Sequence, residues 1–344
     1  MTGRRNEPLI RVASPSGEEL PLISGTTYPP ETQVQIETSR IRAKVATQGY
    51  VSGVVGGSFE DKATGARDLG FGLDVVDFLL EPTPEGAPVP EGQYDFGNLV
   101  HGEIPKRYVE GPQICTQVKR LAPRVFVGDG FAAVTLRHAW TEAYAPHDRA
   151  GSLWEQTLIF PEGERFFLAA DRVTTVSESP CLFLRIDLPG HLKHDKGSGF
   201  EHIYLSYEEP ETIPSMEFFS DFPPDAHFFY QRGAGPMQER FIRAYQHPEG
   251  PWLAGMTLNP SDVYEAWCHQ RGYVCMIQEI GGRATQPGDT FGAAYVIGWF
   301  ADVEEMQTVY DRFRGVSGWM IDGPPERPTG YRGLAAEALS RIKE

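Results

Sequence analysis

A large antiparallel β-sandwich, with helix confined to the C-terminal end, is the fold class the sequence predicts, and three observations predict it. Short runs rich in β-branched and aromatic residues recur along the chain. Turn chemistry such as NPSD and QPGD separates several of them. No amphipathic helices intervene, as a parallel βαβ sheet would require. The absence of a fixed-period repeat argues against a propeller or solenoid.

Length and composition fit that class. With 344 residues, 40% hydrophobic and 12% aromatic, the chain has material for a sizeable core. Thirty-seven glycines and 28 prolines supply turns without reaching low complexity. A formal charge of -16 repels phosphate backbones and anionic lipid surfaces, so neither nucleic acid nor membrane is an expected partner. The N-terminal stretch has no apolar run of signal-peptide length, and cytoplasmic residence is the expectation. Cys115, Cys181, Cys268 and Cys275 show no CxxC spacing and read as reduced, packed thiols. A homo-oligomer is compatible with all of this.

Residues 1–33 are rich in Pro, Gly and Glu without sustained periodicity, and are expected to form an irregular N-terminal arm. The sandwich domain is expected over 34–301. VQIETSRIRAKV opens it, GYVSGVVGG adds glycines suited to a bulge, and LGFGLDVVDFLL leads to the long loop EPTPEGAPVPEGQY. LWEQTLIF and RFFLAADRVTTV, joined by PEGE, form a β-hairpin. Alternation there puts Trp154, Gln156, Leu158 and Phe160 on one face and Glu155, Thr157 and Ile159 on the other. Further strands are expected at CLFLRIDL, HIYLSY, HFFYQR, WLAGMTL, YVCMIQEI and TFGAAYVIGWF. Residues 302–344 form a C-terminal cap. Asp302 and Glu305 start a helix with an apolar stripe of Val303, Met306, Val309, Tyr310 and Phe313, and a second helix is expected at LAAEALSRIK.

Three constellations carry candidate chemistry. His101 lies in NLVHGEIPKRY beside Lys106 and Arg107, where an imidazole can exchange a proton and two cations can hold an oxyanion. The unit RIDLPGHLKHDKGSGFEHIYLSY gathers Arg185, His191, Lys193, His194, His202, Tyr204 and Tyr207. It allows acid–base work on a sugar, a divalent metal at His191 and His194, or a solvated polar loop. The spacing lacks both zincin context and cysteines, so no cofactor is expected and the metal is the subordinate reading. The third, YEAWCHQRGYVCMIQEIGG, contains Trp267 and His269 on one side of a strand, with Gln278 and Glu279 at the end of an apolar run. A glutamate buried there must be paired or functional. Arg137, His138, Glu155 and Gln156 are secondary groove-lining candidates.

From about residue 36 to residue 300 the order of features resembles the galactose-mutarotase-like β-supersandwich, the fold of aldose 1-epimerases and of related domains in glycosidases and polysaccharide lyases. GYVSGVVGGSFEDKATG is similar to that family's opening strands and LVHGEIPKRY to its His-Gly loop. DRVTTVSESPCLFLRIDLPGHLKH stands where the epimerases carry an Asn-His catalytic segment. VCMIQEIGGRATQPGDTFGAAYVIGWF resembles the ending, in which a glutamate-bearing strand precedes a Pro-Gly turn and the last long strand. The resemblance implies a carbohydrate-active enzyme, with His191 or His194 as general acid, Glu279 as general base and His101 orienting the substrate. This sequence departs from the family in placing Pro189 and Gly190, not asparagine, before His191.

Epimerase-like and lyase-like chemistry therefore both stand. Lys106, Arg107, Lys193, Tyr204 and Tyr207 could neutralise a uronate and remove its proton. A hydrolase pairing Glu279 with Asp187 or Asp195, and a non-catalytic carbohydrate-binding protein, are the alternatives. The expected catalytic set is His191, His194, Glu279, His101 and Tyr204. Lys106, Arg107, Arg185, His202, Tyr207, Trp267, His269 and Gln278 are expected to contact a small sugar or oligosaccharide.

Overall fold

The computed structural model describes residues 9–84, 106–193, 199–222, 227–270 and 272–341. Within them the strand-length runs pair antiparallel into three large sheets. A ten-stranded sheet runs from Thr212–Pro214 through His202–Leu205, Ile242–Gln246, Trp252–Thr257, Thr290–Phe300, Phe166–Thr174, Leu153–Pro161, Phe131–Ala139 and Arg124–Gly128 to Thr26–Thr27. An eight-stranded sheet orders Glu142–Ala143, Lys106–Gly111, Val75–Pro82, Ser179–Asp187, Tyr273–Thr285, Val263–Gln270 and Tyr230–Gln231, with Leu192–Lys193 beside Tyr273–Thr285. A six-stranded sheet is built from the segment Ile10 to Leu73.

One apolar core draws on all three sheets. Val34 and Ile36 enter from the first, Leu158 and Phe167 from the second, and Leu184 and Met276 from the third. Burying each such side chain contributes roughly 1.5–3 kcal/mol. The predicted hairpin forms as Leu153–Pro161 and Phe166–Thr174. Leu158 and Phe160 enter this core, while Ile159 turns to the opposite side.

That opposite side, the outer face of the ten-stranded sheet, is covered by the chain's C-terminal part. The helix Val303–Phe313 starts where expected, with the Glu305 amide donating to Asp302 Oδ1 at 2.8 Å, and its buried Met306 and Tyr310 pack on the sheet. A hairpin of Gly318–Asp322 and Gly330–Leu334 follows. The second expected helix is instead a 3-10 turn over Ala336–Arg341. Leu334 is taken into the hairpin, and the short remainder cannot nucleate an α-helix unaided.

The N-terminal segment also departs from the expected irregular lead-in. Ile10–Ala13 pairs with Gln33–Glu37, burying Ile10 and Val12, and Thr26–Thr27 edges the ten-stranded sheet. Two apolar residues at a spacing of two suffice for a strand when a partner edge is available.

Candidate functional site

The eight-stranded sheet has one face in the core and one turned away from it, and strand register decides which side chains reach each. Arg185 stands across from Glu279, and Glu279 across from Glu265. The next matching row places Asp187, Ile277 and Trp267 in line, and Cys275 faces His269. With a period of two, these side chains share the outer face, while Leu184, Ile186, Met276 and Ile280 pack inward.

Glu265 and Glu279, directly opposed, would repel each other without an intervening cation. Lys106 supplies it: Nζ donates to Glu265 Oε2 at 2.6 Å and to Glu279 Oε2 at 2.7 Å. Arg185 donates to Glu279 Oε1 from Nε at 3.0 Å and Nη2 at 2.6 Å, and Gln231 Nε2 donates to Glu265 Oε1 at 2.9 Å. The Trp267 ring lies 4.7 Å from Lys106 Nζ and 5.0 Å from the Arg185 guanidinium carbon. Lys106, Arg185, Glu265, Glu279 and Trp267 are buried, so the attraction acts in a low-dielectric setting and the cations hold the carboxylates in place.

The two carboxyls are driven in opposite directions. Burial raises Glu279, but Lys106 and Arg185 outweigh it and hold it below the ordinary range. Burial and the nearby Glu279 charge raise Glu265 despite Lys106. The Lys106 and Arg185 charges thus favour ionised Glu279, whereas burial and the Glu279 charge oppose the charge on Glu265.

A second group adjoins it. His191 Nε2 lies 2.7 Å from Asp187 Oδ1 without hydrogen-bond alignment, and both Asp187 oxygens are buried without a hydrogen bond. Burial alone would lower the imidazole pKa, but Asp187 and Cys275 raise it well above its usual value. Asp77 accepts from Cys115 Sγ at 3.0 Å and is pushed up to about 6 by burial and the Asp187 charge. The His191 loop is pinned by backbone contacts: Asp74 N donates to Pro189 O at 3.1 Å and Phe71 N to His191 O at 3.2 Å. A Cβ at Gly190 would lie 2.0 Å from Gly72 O, so this position requires glycine. Phe71, 42% exposed, and Tyr273 flank the imidazole, with ring centroids 6.3 and 5.3 Å away.

Of the residues expected from sequence, Glu279, Lys106, Arg185, Trp267, His269 and His191 meet on this outer face. Trp267 Nε1 donates to His269 Nδ1 at 3.2 Å. His101, His194 and Asp195 lie outside the described residues.

Several others are elsewhere. Gln278 points inward, accepting from Arg243 Nη2 at 3.1 Å and Thr257 Oγ1 at 2.9 Å, because it is one residue out of phase with Glu279. Arg107 turns from Lys106 to Glu81, Nε to Oε1 at 2.7 Å. Tyr204 and His202 belong to the ten-stranded sheet, where Tyr204 packs with the helix-side cluster and His202 pairs with Gln246 at 2.8 Å. Tyr207 stacks on Phe241 at 5.0 Å. Sequence proximity grouped these with His191, but the chain crosses between sheets after residue 193. Sequence reasoning missed Glu265, although its spacing of two from Trp267 places it on the same face. Asp77 and the role of Cys275 carried no comparable local signal.

No protein-family model matches the chain, and a search of curated proteins finds no match. Solved structures do resemble it. A galactose mutarotase-like protein from Clostridium acetobutylicum is similar at TM-score 0.45 and 8% identity, over 78% of this chain and 95% of that one. A putative aldose 1-epimerase from Escherichia coli K12 is similar at TM-score 0.39 and 9% identity, over 80% and 99%. A TPR-domain containing protein from Parabacteroides distasonis gives TM-score 0.42 and 12% identity over 83% of this chain, which spans about half, 48%, of its length. Each similarity is one of backbone architecture, and galactose mutarotase-like β-sandwiches are among the folds this chain is similar to.

Proposed function

We propose that the chain is a carbohydrate-active protein whose outer eight-stranded face performs acid–base chemistry on a sugar, in an epimerase-like or lyase-like reaction. The observation that carries this reading is the facing pair of Glu279 and Glu265 around Lys106, beside the Trp267 ring, with charge favoured on Glu279 by two cations and opposed on Glu265 by burial and its neighbour. Such a split gives the two carboxyls different proton affinities, as a base and an acid require. His191 adds a cationic acid at the partly exposed rim, where Phe71 packs against Tyr273 and under Lys193 Nζ.

An inverting hydrolase that pairs Glu279 with Glu265 is disfavoured. Both carboxylates contact one ammonium nitrogen within 2.7 Å, whereas inversion places a water between carboxyls roughly 6.5–9.5 Å apart. Non-catalytic sugar binding is the second reading. It is favoured by the burial of Glu279, whose two oxygens already accept from Arg185 and Lys106.

The test is a panel of aldoses and uronate-containing oligosaccharides, followed by polarimetry for epimerisation and ultraviolet absorbance for an unsaturated lyase product. Turnover that is lost in both Glu279→Gln and His191→Gln, with the fold retained, supports catalysis. Turnover retained in both refutes the site assignment, and sugar binding without turnover selects the second reading.

A further inference from the structure

On the far side of the molecule, the outer face of the ten-stranded sheet carries another polar depression. Arg124, Thr135, Thr157 and Ala170 form one row across four neighbouring strands, and Arg137, Glu155 and Arg172 form the next. Ala170 keeps the floor low, and the Gly318–Asp322 strand flanks it with Trp319, leaving a half-open pocket of about 290 Å³. The Asp171 carboxyl is turned inward, accepting from Trp154 Nε1 at 2.8 Å.

The cavity's donors are only partly used. Glu155 receives Arg137 Nη2 at 2.7 Å and Arg172 Nη2 on its other oxygen. Arg124 donates through Nε to Gly25 O at 3.0 Å and lies over Phe126, and its terminal nitrogens meet no carboxylate among the described residues. The Thr135 and Thr157 hydroxyls make no hydrogen bond to another described residue. Among the described residues the pocket gathers three guanidinium groups, two of them on Glu155, in a chain of formal charge -16. Arginine forks and hydroxyls together match an oxyanion on a polar molecule.

We propose that this cavity is a second ligand site, separate from the Glu279 face, that binds a small oxyanion-bearing molecule the size of one sugar acid or sugar phosphate. The volume sits at the lower end of ligand pockets and suits a single ring.

Isothermal titration calorimetry on the full chain at low salt tests it, with glucuronate and glucose 6-phosphate as probes and glucose as the neutral control. At least one anionic probe is expected to bind, and the tighter of the two identifies carboxylate or phosphate as the recognised group. Arg124→Gln should weaken it about tenfold or more, and Thr157→Val severalfold. Glu279→Gln should leave the Arg124-dependent binding unchanged, and any glucose binding should be insensitive to Arg124→Gln. Melting curves establish that the variants fold. The proposal is overturned if neither anion binds, if Arg124→Gln and Thr157→Val both leave affinity unchanged, or if Glu279→Gln abolishes binding.

Discussion

Glu265 and Glu279 stand directly across from each other on adjacent antiparallel strands and share one buried cation, Lys106. Three strands of the eight-stranded sheet are thereby tied on one face. The arrangement is stable only while the lysine remains, because like charges at facing positions repel and buried ions without partners are costly.

Lys106→Met is therefore expected to destabilise the fold by about 3–5 kcal/mol, the usual cost of breaking a buried ion network. Adding Glu265→Gln should recover at least about 1 kcal/mol of that loss, since it removes one of the stranded carboxyls. Urea denaturation of both single variants and the double variant measures the coupling. Strict additivity would show that Lys106 does not mediate between the two carboxyls.

The charge on His191 depends on Asp187. With the pKa raised in the folded state, the imidazolium's contribution to stability is fully present below the ordinary histidine value and is lost as pH rises through the raised one. Asp187→Asn removes the counter-charge and leaves burial dominant, so the His191 midpoint should fall below that of the wild type. An NMR titration of the histidine ring protons reads this directly, and an unchanged midpoint would contradict the assignment.

How far the site was legible follows from what fixes each residue. Glu279 stood out because a charge at the end of the apolar run YVCMIQE needs a partner, and the resemblance pointed to the same residue. Trp267 and His269 followed from period-two alternation. Gln278 was misjudged because adjacent residues in a strand face opposite ways, so sharing a motif with Glu279 meant pointing into the core. Tyr204 and His202 failed for a different reason. Only strand order, set by non-local pairing, separates the ten-stranded sheet that holds them from the sheet bearing His191.

Between the sheets a second carboxyl pair, Asp74 and Asp171, is buried and meets no cation among the described residues. Gln156 Nε2 donates to Asp74 Oδ2 at 3.1 Å and to Asp171 Oδ1 at 3.2 Å. Burial raises both acids, Asp171 to about 6, with the Asp171 charge adding to the effect on Asp74. Folding therefore takes up protons, and this pair's contribution is lost as pH rises from the ordinary carboxyl range through about 6. Asp74→Asn keeps a neutral donor, and asparagine tolerates the φ of 57° at this position. The variant should lose part of the pH slope in that window and equal or exceed the wild type in stability above pH ~7. Thermal melts from pH 4 to 8 compare them, and a parallel slope would mean that the pair is not the source.

Gly190 links the sheet framework to the His191 rim. An added Cβ would meet the Gly72 carbonyl oxygen at 2.0 Å, and that oxygen belongs to backbone that cannot swing aside. Gly190→Ala should cost about 1–3 kcal/mol, as overpacking does, and displace the loop that carries the imidazole. Gly163, in the hairpin turn at φ 83° with open space around it, is the control, because alanine there strains the backbone without touching a neighbour. Chemical denaturation should show both variants destabilised, but only Gly190→Ala should also move the His191 ring resonances. Equal NMR spectra for the two variants would remove the claim that Gly190 positions the rim.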